Sequence, residues 1–381
     1  NDTDGSASSR TAEPNNGTII TAISQFEGDI VQGDSLFLII EESDIDNAPV
    51  DNSIKSRTVL GANQYYNSAS ISAFKYKSGT WDGSANPDFI YDMKLSQIGD
   101  SWEQDGAYKW PGAAFGLRFF GVSPYGVGTL SAIDHKGFPT LDYTVPQKVS
   151  DQISLLTFFT DEIAGNYKNT VQLNLKHATA SIYLYETDYI VPGTIKSISL
   201  KNFYGSGTYD YQTDKWTNLR DNTDYTQELS KELGGTDGNE ITDHLTAFTI
   251  LPQDMQETSA LEIVYTDNYW NVERVLTAKL KGRFEAGKRY NLSISPNSFR
   301  REFILEIDGV KIPLEGSNQK PVYIDFPLDN TTLYKKFTFA TKIIREGEDD
   351  TYIPLEKDDW TSINYKYNLA TDKYDIQINT R

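Results

Sequence analysis

Apolar and polar residues alternate with period two along most of this chain, and the alternation is densest between residues 171 and 216. Val171, Leu173 and Leu175 share one parity, whereas four later apolar residues share the other: Ala178, Ala180, Ile182 and Leu184. Successive strand side chains point to opposite faces, so a single buried face needs one extra residue between the two sets. The pattern therefore predicts a β-strand with a β-bulge near His177.

Glycine and proline divide the same segment into three predicted strands, with breaks at Pro192-Gly193 and at Gly205-Ser206-Gly207. Five earlier strands are predicted at residues 18–24, 35–41, 70–76, 88–95 and 117–122. The strand at 35–41 is apolar at nearly every position, which is typical of a strand covered on both faces. Residues 151–163 fit either a short helical turn or a buried strand.

The alternation continues to the end of the chain. Runs at 261–265 and 275–280 flank a polar Thr-Asp-Asn turn and predict a hairpin, and Asp308-Gly309 predicts another. The last apolar set lies on one face of a final strand and consists of Tyr374, Ile376 and Ile378. No amphipathic stretch of helical period exceeds about three turns. The sequence therefore predicts an all-β fold.

Four segments are predicted along the 381 residues, a length that allows several separate cores. A polar segment at 1–16 is expected to be disordered. It is followed by an N-terminal β-sandwich at 17–165, a second β-sandwich at 166–297 and a small C-terminal β domain at 298–381. The boundary between the two sandwiches follows a stretch rich in glycine and proline between residues 124 and 147.

Composition excludes several classes of function. The chain carries 54 acidic and 35 basic residues, a formal net charge of −19, which argues against nucleic acid as a partner. It has no cysteine, so disulfides, thiol catalysis and cysteine-based metal sites are excluded. No apolar run has the length of a membrane span, and we expect a soluble chain.

Candidate chemistry is sparse. The three histidines, His135, His177 and His244, have no metal-binding spacing, and a structural role is expected for each. Alternating oxygen-bearing residues resemble a calcium loop but lack its glycine and closing glutamate: Asp82, Ser84, Asn86 and Asp88. With 54 acidic residues, chance carboxylate pairs are inevitable, so a glycosidase is a weak alternative. We expect no catalytic, metal or cofactor site and no enzymatic activity.

Tryptophans offer a different kind of candidate site. Trp81 and Trp102 lie among glycine and acidic residues, and Trp360 lies near two tyrosines. Such aromatics either pack in a core or stack on sugar rings. The second possibility predicts, as an alternative function, a surface glycan-binding lipoprotein that uses aromatic platforms.

Eight short blocks occur in a fixed order between residues 18 and 295. They are Phe26-Glu27-Gly28-Asp29, Trp110-Pro111 with the strand at 117–124, Asp151 to Leu156, Leu173 to Ala178, Gly207-Thr208-Tyr209 with Trp216, Leu251-Pro252-Gln253, the strand ending at Tyr265, and Ala286 to Leu292. Together they resemble the fimbrillin-like (Mfa-like) family of Bacteroidales type V pili. The resemblance does not cover the tail after residue 298.

The resemblance implies two tandem transthyretin-like or Ig-like β-sandwiches in a structural or adhesive fimbrial subunit at the cell surface. Its precursor would be exported as a lipoprotein and anchored in the outer membrane by an N-terminal lipid. In the family, cleavage after an arginine releases the first strand, and a strand from the next subunit fills the vacated groove. The implied partners are other fimbrial subunits and a host or microbial glycan or protein.

Carried onto this sequence, the resemblance names the removable first strand as Thr18, Ile19, Ile20, Thr21, Ala22, Ile23 and Ser24. The candidate cleavage sites are Arg10, before this strand, and Arg57, beyond the second strand. The candidate donor strand carries Tyr374, Ile376 and Ile378. The additional C-terminal domain favours a tip or accessory subunit over a stalk repeat.

Overall fold

The fold is taken from a computed structural model, which describes residues 19–29, 35–45, 65–81, 83–99, 101–104, 108–186, 192–233, 239–295 and 298. Beyond residue 298 it describes the backbone of the strands given below. The predicted disordered segment at 1–16 lies outside the described residues, as do Arg10 and Arg57.

The described residues form 28 β-strands and one short 3-10 turn, Val149–Asp151. The strands before this turn are β1 (Ile19–Gly28), β2 (Phe37–Asp44), β3 (Ser68–Lys77), β4 (Ile90–Ile98), β5 (Ser101–Gln104), β6 (Phe115–Ser123), β7 (Thr129–Leu130) and β8 (Thr140–Thr144). Those that follow up to residue 295 are β9 (Leu156–Phe159), β10 (Ile163–Ala164), β11 (Lys176–His177), β12 (Ala180–Glu186), β13 (Gly193–Asp210), β14 (Lys215–Leu233), β15 (Asn239–Glu240), β16 (Phe248–Ile250), β17 (Gln253–Asp254), β18 (Ala260–Asp267), β19 (Val272–Lys279), β20 (Arg283–Phe284) and β21 (Lys288–Ser295). The last are β22 (Arg300–Ile307), β23 (Val310–Leu314), β24 (Val322–Ile324), β25 (Phe337–Ile344), β26 (Thr351–Pro354), β27 (Trp360–Asn368) and β28 (Lys373–Thr380). The predicted all-β class is confirmed.

Two large sheets account for most strands before residue 298. A seven-stranded sheet has the order β11-β9-β6-β3-β4-β5, with β10 beside β6. A twelve-stranded sheet has the order β15-β12-β21-β2-β1-β19-β18-β13-β8-β7, with β14 beside β13 and β16 beside β12. In it, β12 and β21 run parallel, and β2 pairs antiparallel with β21. Strands from distant parts of the chain therefore lie side by side.

The parity change near His177 marks a crossing between these two sheets. β11 pairs with β9 in the seven-stranded sheet, whereas β12 pairs with β16 and β21 in the twelve-stranded sheet. Leu173 accordingly packs on a small core that contains Ile71, while Ile182 belongs to the main core. The predicted β-bulge is wrong because residues 171–175 form no strand and the chain changes sheets between β11 and β12, so no single strand carries both apolar sets.

The predicted strand break at Gly205-Ser206-Gly207 is also wrong, since β13 runs through it and turns back only at residues 211–214. A Cβ atom on Gly205 would lie 2.6 Å from the Thr223 hydroxyl oxygen, and one on Gly207 would lie 3.0 Å from a Leu219 methyl carbon. These glycines therefore make room for side chains of β14 and do not interrupt the strand.

The main core joins the two predicted sandwich segments. It contains Ala22 and Phe26 of β1 together with Tyr290 and Leu292 of β21. β1 and β2 lie in the predicted first unit but pair with β19 and β21 of the predicted second unit. The division at residue 165 stays a prediction about folding units, while these pairings tie the two segments into one sheet.

The tail contributes two further sheets, of order β23-β22-β25-β26 and β24-β28-β27. Ile307 lies opposite Val310, so the hairpin predicted at Asp308-Gly309 is confirmed by the strands on either side.

Phe120 packs at the centre of an aromatic cluster in the main core. Five other rings have centroids 5.2 to 6.5 Å from the Phe120 centroid: Phe74, Trp81, Phe138, Phe159 and Tyr211.

We expect Phe120→Ala to lower the free energy of unfolding by about 3–5 kcal/mol, because it leaves a cavity that rigid strands cannot close. Denaturant unfolding measures this. The exposed Phe115 of the same strand is the control, and equal losses for Phe115→Ala and Phe120→Ala would contradict the assignment.

Candidate functional site

The predicted removable strand lies at a sheet edge. It corresponds to β1, which begins at Ile19 and ends at Gly28, four residues beyond Ser24. Residues 19–25 pair with β2 on one side, and among the described strands nothing pairs with their other side. The last three residues, 26–28, pair instead with β19. β1 therefore pairs with β2 over most of its length and joins β19 at its end.

One face of β1 is part of the main core although most of the strand is an edge. Ala22 and Phe26 are each only 1% exposed, and Ser24 between them is buried, whereas Gln25 and Glu27 are exposed. Residues 19–26 include no charged side chain. By contrast β14, which pairs only with β13 among the described strands, carries seven charged residues: Lys215, Arg220, Asp221, Asp224, Glu228, Lys231 and Glu232. Charges discourage edge pairing, so β1 is the less protected edge.

The pairing of β1 with β2 is interrupted at Thr21. The register shifts between Ile20 and Ala22, which leaves Thr21 as an extra residue, and its hydroxyl donates to the carbonyl oxygen of Ile40 at 3.3 Å. A bulge of this kind weakens the ladder locally. The first residues of β1 are therefore held less tightly than the last.

The Phe26-Glu27-Gly28-Asp29 step fastens the other end of β1. The Phe26 N–H donates to the carbonyl oxygen of Leu36 at 2.8 Å, and the Asp29 N–H donates to that of Val275 at 3.0 Å. The Val275 N–H returns a bond to the Asp29 carboxylate at 3.2 Å, and the Arg274 guanidinium donates to the Asp29 carbonyl oxygen at 3.2 Å. This block of the resemblance is thus a structural clasp between β1 and β19.

Arg274 links this clasp to the turn between β18 and β19. Its guanidinium donates to the fully buried Asp267 carboxylate at 2.9 Å and stacks over the Trp270 ring. The same carboxylate accepts the N–H groups of Tyr269 at 2.7 Å and Trp270 at 3.1 Å. Burial opposes the charge, but these donors outweigh it and the pKa of Asp267 is lowered.

The turn presents two aromatic rings that sequence reasoning missed. Tyr269 is 72% exposed and Trp270 is 58% exposed. The sequence reading interpreted the preceding Thr-Asp-Asn as an ordinary polar turn. The aromatic pair directly after it could have predicted exposed rings, because aromatic side chains in a tight turn lie too far from the core to be buried.

The predicted ligand tryptophans lie elsewhere. Trp81 is half-buried, with its ring centroid 5.2 Å from that of Phe138 and the Arg118 guanidinium 5.4 Å from its own centroid. Trp102 is half-buried against the smaller core. The side chain of Trp360 lies outside the described part of the structure. Trp110, which is 40% exposed, presents more surface than either described candidate.

The candidate donor strand is already paired. Tyr374, Ile376 and Ile378 lie in β28, between β24 and β27, where Ile376 is opposite Val322 and Ile378 is opposite Ile363. Donation would therefore require release of β28 from its own sheet, and the donor role stays a prediction.

Among the described residues, no cluster of three or more histidine, cysteine, aspartate or glutamate side chains could hold a metal ion, and no helix could span a membrane. The His135 ring instead lies 2.9 Å from the Phe138 carbonyl oxygen. Asp82 of the calcium-like spacing lies outside the described residues.

We expect Asp267→Asn to lower the free energy of unfolding at neutral pH, because it removes the charge that Arg274 and the turn amides stabilise. A carboxyl group with a depressed folded-state pKa stabilises the fold above its unfolded-state pKa, near 3.8. That contribution is lost as the pH falls through the lower folded-state pKa. The difference between wild type and variant should therefore shrink in acid.

Urea unfolding between pH 7 and about pH 3 measures this difference. The control is Asp254→Asn, which removes an exposed ion pair with Arg283 and should change stability little. A deficit of the Asp267→Asn variant that stays constant down to the lowest pH would refute the assignment.

The family described as fimbrillin-like matches residues 56–312, more than half of the chain. A curated relative, fimbrium subunit Fim1C of Phocaeicola vulgatus, is 26% identical over 197 residues, which are 44% of this chain and 52% of the relative. The match thus spans about half the length of that relative.

Two solved structures are also similar. A fimbrial protein from Bacteroides vulgatus has 18% identity and a TM-score of 0.44 over 62% of this chain and 87% of its own. A putative cell adhesion protein from Bacteroides ovatus has 15% identity and a TM-score of 0.42 over 61% and 86%. On the family match over residues 56–312, the chain belongs to the fimbrillin-like family.

Proposed function

We propose that the chain is a subunit of a cell-surface fimbria that assembles with other fimbrial subunits by β-strand complementation, with β1 as the exchangeable strand. The observation that carries the proposal is the dual character of β1. It is an uncharged edge strand over residues 19–25, yet it contributes Ala22 and Phe26 to the main core.

The physical consequence of losing β1 favours capture of another strand. Departure of β1 would expose the N–H and C=O groups of β2 along residues 37–42 and leave an apolar groove where Phe26 was. An extended chain with alternating apolar residues satisfies both requirements at once. Filling the site of one large aromatic contributes about 3 kcal/mol, before the ladder bonds are counted.

The family membership and the named relative support this proposal. Fim1C of Phocaeicola vulgatus is described as a fimbrium subunit, and the match to it covers about half of its length. The finer points belong to the same proposal: a tip or accessory position, an outer-membrane lipoprotein precursor, and a function in binding rather than in catalysis.

A second candidate function is adhesion to a host or microbial glycan. The observation that favours it is the exposure of aromatic rings on the surface, in Tyr108 and Trp110 and in the turn residues Tyr269 and Trp270. Amphipathic aromatics of this kind are common at binding surfaces. This adhesive function is compatible with assembly by strand complementation.

A site for a sequence-specific protease, inserted between residues 30 and 34, tests the assembly proposal, because no arginine lies between β1 and β2. We expect limited digestion, followed by mass spectrometry of the denatured product, to yield a peptide that contains residues 18–24. The digested protein should then form oligomers that survive SDS without heating, because the groove accepts a strand from another molecule. The unmodified chain, which lacks the inserted site, should resist both changes under the same protease. Release of the peptide without any oligomer would count against strand complementation.

A further inference from the structure

We propose that the site occupied by β1 selects strands that carry a large aromatic residue followed two positions later by glycine. The site is called here the β1 track and consists of the space that residues 22–29 fill, beside β2 over residues 22–25 and beside β19 over residues 26–28. The inference rests on the proposed strand exchange and names the kind of strand that it admits.

The aromatic requirement comes from Phe26. Its side chain is fully enclosed in the main core, and it is the largest side chain that β1 places there. Its backbone is held from both sides, by the bond to the Leu36 carbonyl oxygen and by pairing opposite Ala278 of β19. A strand with a small residue at this position would leave a cavity in a rigid core.

The glycine requirement comes from Gly28, and two independent observations support it. The φ angle of this residue is +114°, a conformation that L-residues with a side chain rarely adopt. A Cβ atom here would also lie 2.2 Å from the Val275 carbonyl oxygen and 3.3 Å from its carbon. That oxygen is a backbone atom of β19, which is paired with β18 opposite Val264, so it cannot move aside as a flexible side chain could.

Asp29 adds a third, weaker element to the track. Its carboxylate accepts the Val275 N–H, which is the donor next to the oxygen that excludes side chains at Gly28. An acidic or amide side chain directly after the glycine completes this bond. The preferred pattern is therefore aromatic, any residue, glycine, and then aspartate or asparagine.

The chain's own candidate donor strand lacks this pattern. If Tyr374 of β28 took the position of Phe26, Ile376 would fall on that of Gly28 and meet the Val275 carbonyl oxygen. Every register of residues 373–380 that reaches the Gly28 position places a residue with a side chain there, because the segment contains no glycine. A second copy of this chain is therefore a poor donor through β28, and the fitting partner is a different subunit whose strand carries the aromatic-x-glycine step.

A nicked form of the full chain tests the selection. A site for a sequence-specific protease is inserted between residues 30 and 34, so that cleavage leaves β1 in place but no longer covalently attached. Fluorescent peptides with the sequence of residues 18–29 are then added in excess, and their incorporation is followed by anisotropy and size-exclusion chromatography. Competition with unlabelled variants ranks their fit to the track.

The parent peptide and the Gln25→Ala variant, altered at an exposed position, should compete equally. Gly28→Ala and Phe26→Ala should each weaken competition by about tenfold or more, equivalent to about 1.4 kcal/mol. A peptide of residues 373–380 should not compete, whereas the same peptide with Ile376→Gly should compete measurably.

Equal competition by the Gly28→Ala peptide, or competition by the unmodified 373–380 peptide, would overturn the selection rule while leaving strand exchange intact. If the parent peptide itself never enters the nicked protein, then strand exchange at β1 is wrong, and the selection rule fails with it.

Discussion

The structure depends on the short antiparallel contact between the end of β1 and β19. Three residue pairs, of which Phe26 with Ala278 is the first, join the edge that β1 forms with β2 to the strands β19, β18 and β13. Without this contact the twelve-stranded sheet would fall into two separate sheets that share a core but not a ladder. The buried Phe26 ring and the clasp at Asp29 hold the contact in place, and Gly28 allows the two backbones to approach closely.

This arrangement concentrates opposite properties in one strand. An edge strand is a hazard because its unpaired backbone groups invite other chains, and β14 shows a common protection, with charges and several register shifts along its length. β1 has one register shift and no charge through residue 26, yet it fills part of the core. A strand that is both open and deeply rooted is stable while it stays in place and leaves an adhesive groove when it departs.

Period-two alternation was sufficient to predict most strands, including the hairpin of β18 and β19 and the buried strand β2. It could not assign strands to sheets, because a parity change has two physical solutions. The chain can bulge within one sheet or cross to another, and near His177 it crosses. Glycines were equally ambiguous. Gly205 and Gly207 predicted a break between two strands, but in the structure they make room for neighbouring side chains within one continuous strand.

The candidate site was predicted in part. The first strand and the Phe26 to Asp29 block were recognisable, since both are local in sequence. The pairing of β1 with β19 was not, because nothing local indicates which distant strand completes an edge. The sequence left Trp81 open between core packing and sugar stacking, and in the fold rings from three other segments surround it. The aromatic turn at Tyr269 was overlooked.

The position of β21 between β12 and β2 has a consequence for how the protein acquires its structure. The Tyr290 hydroxyl donates to the Glu42 carboxylate at 3.0 Å, across 248 positions of sequence. A ribosome must therefore synthesise the 248 positions that separate these two residues before β2 can meet β21. Contacts this remote form slowly, so the nascent polypeptide has a long interval in which a chaperone can engage it unfolded.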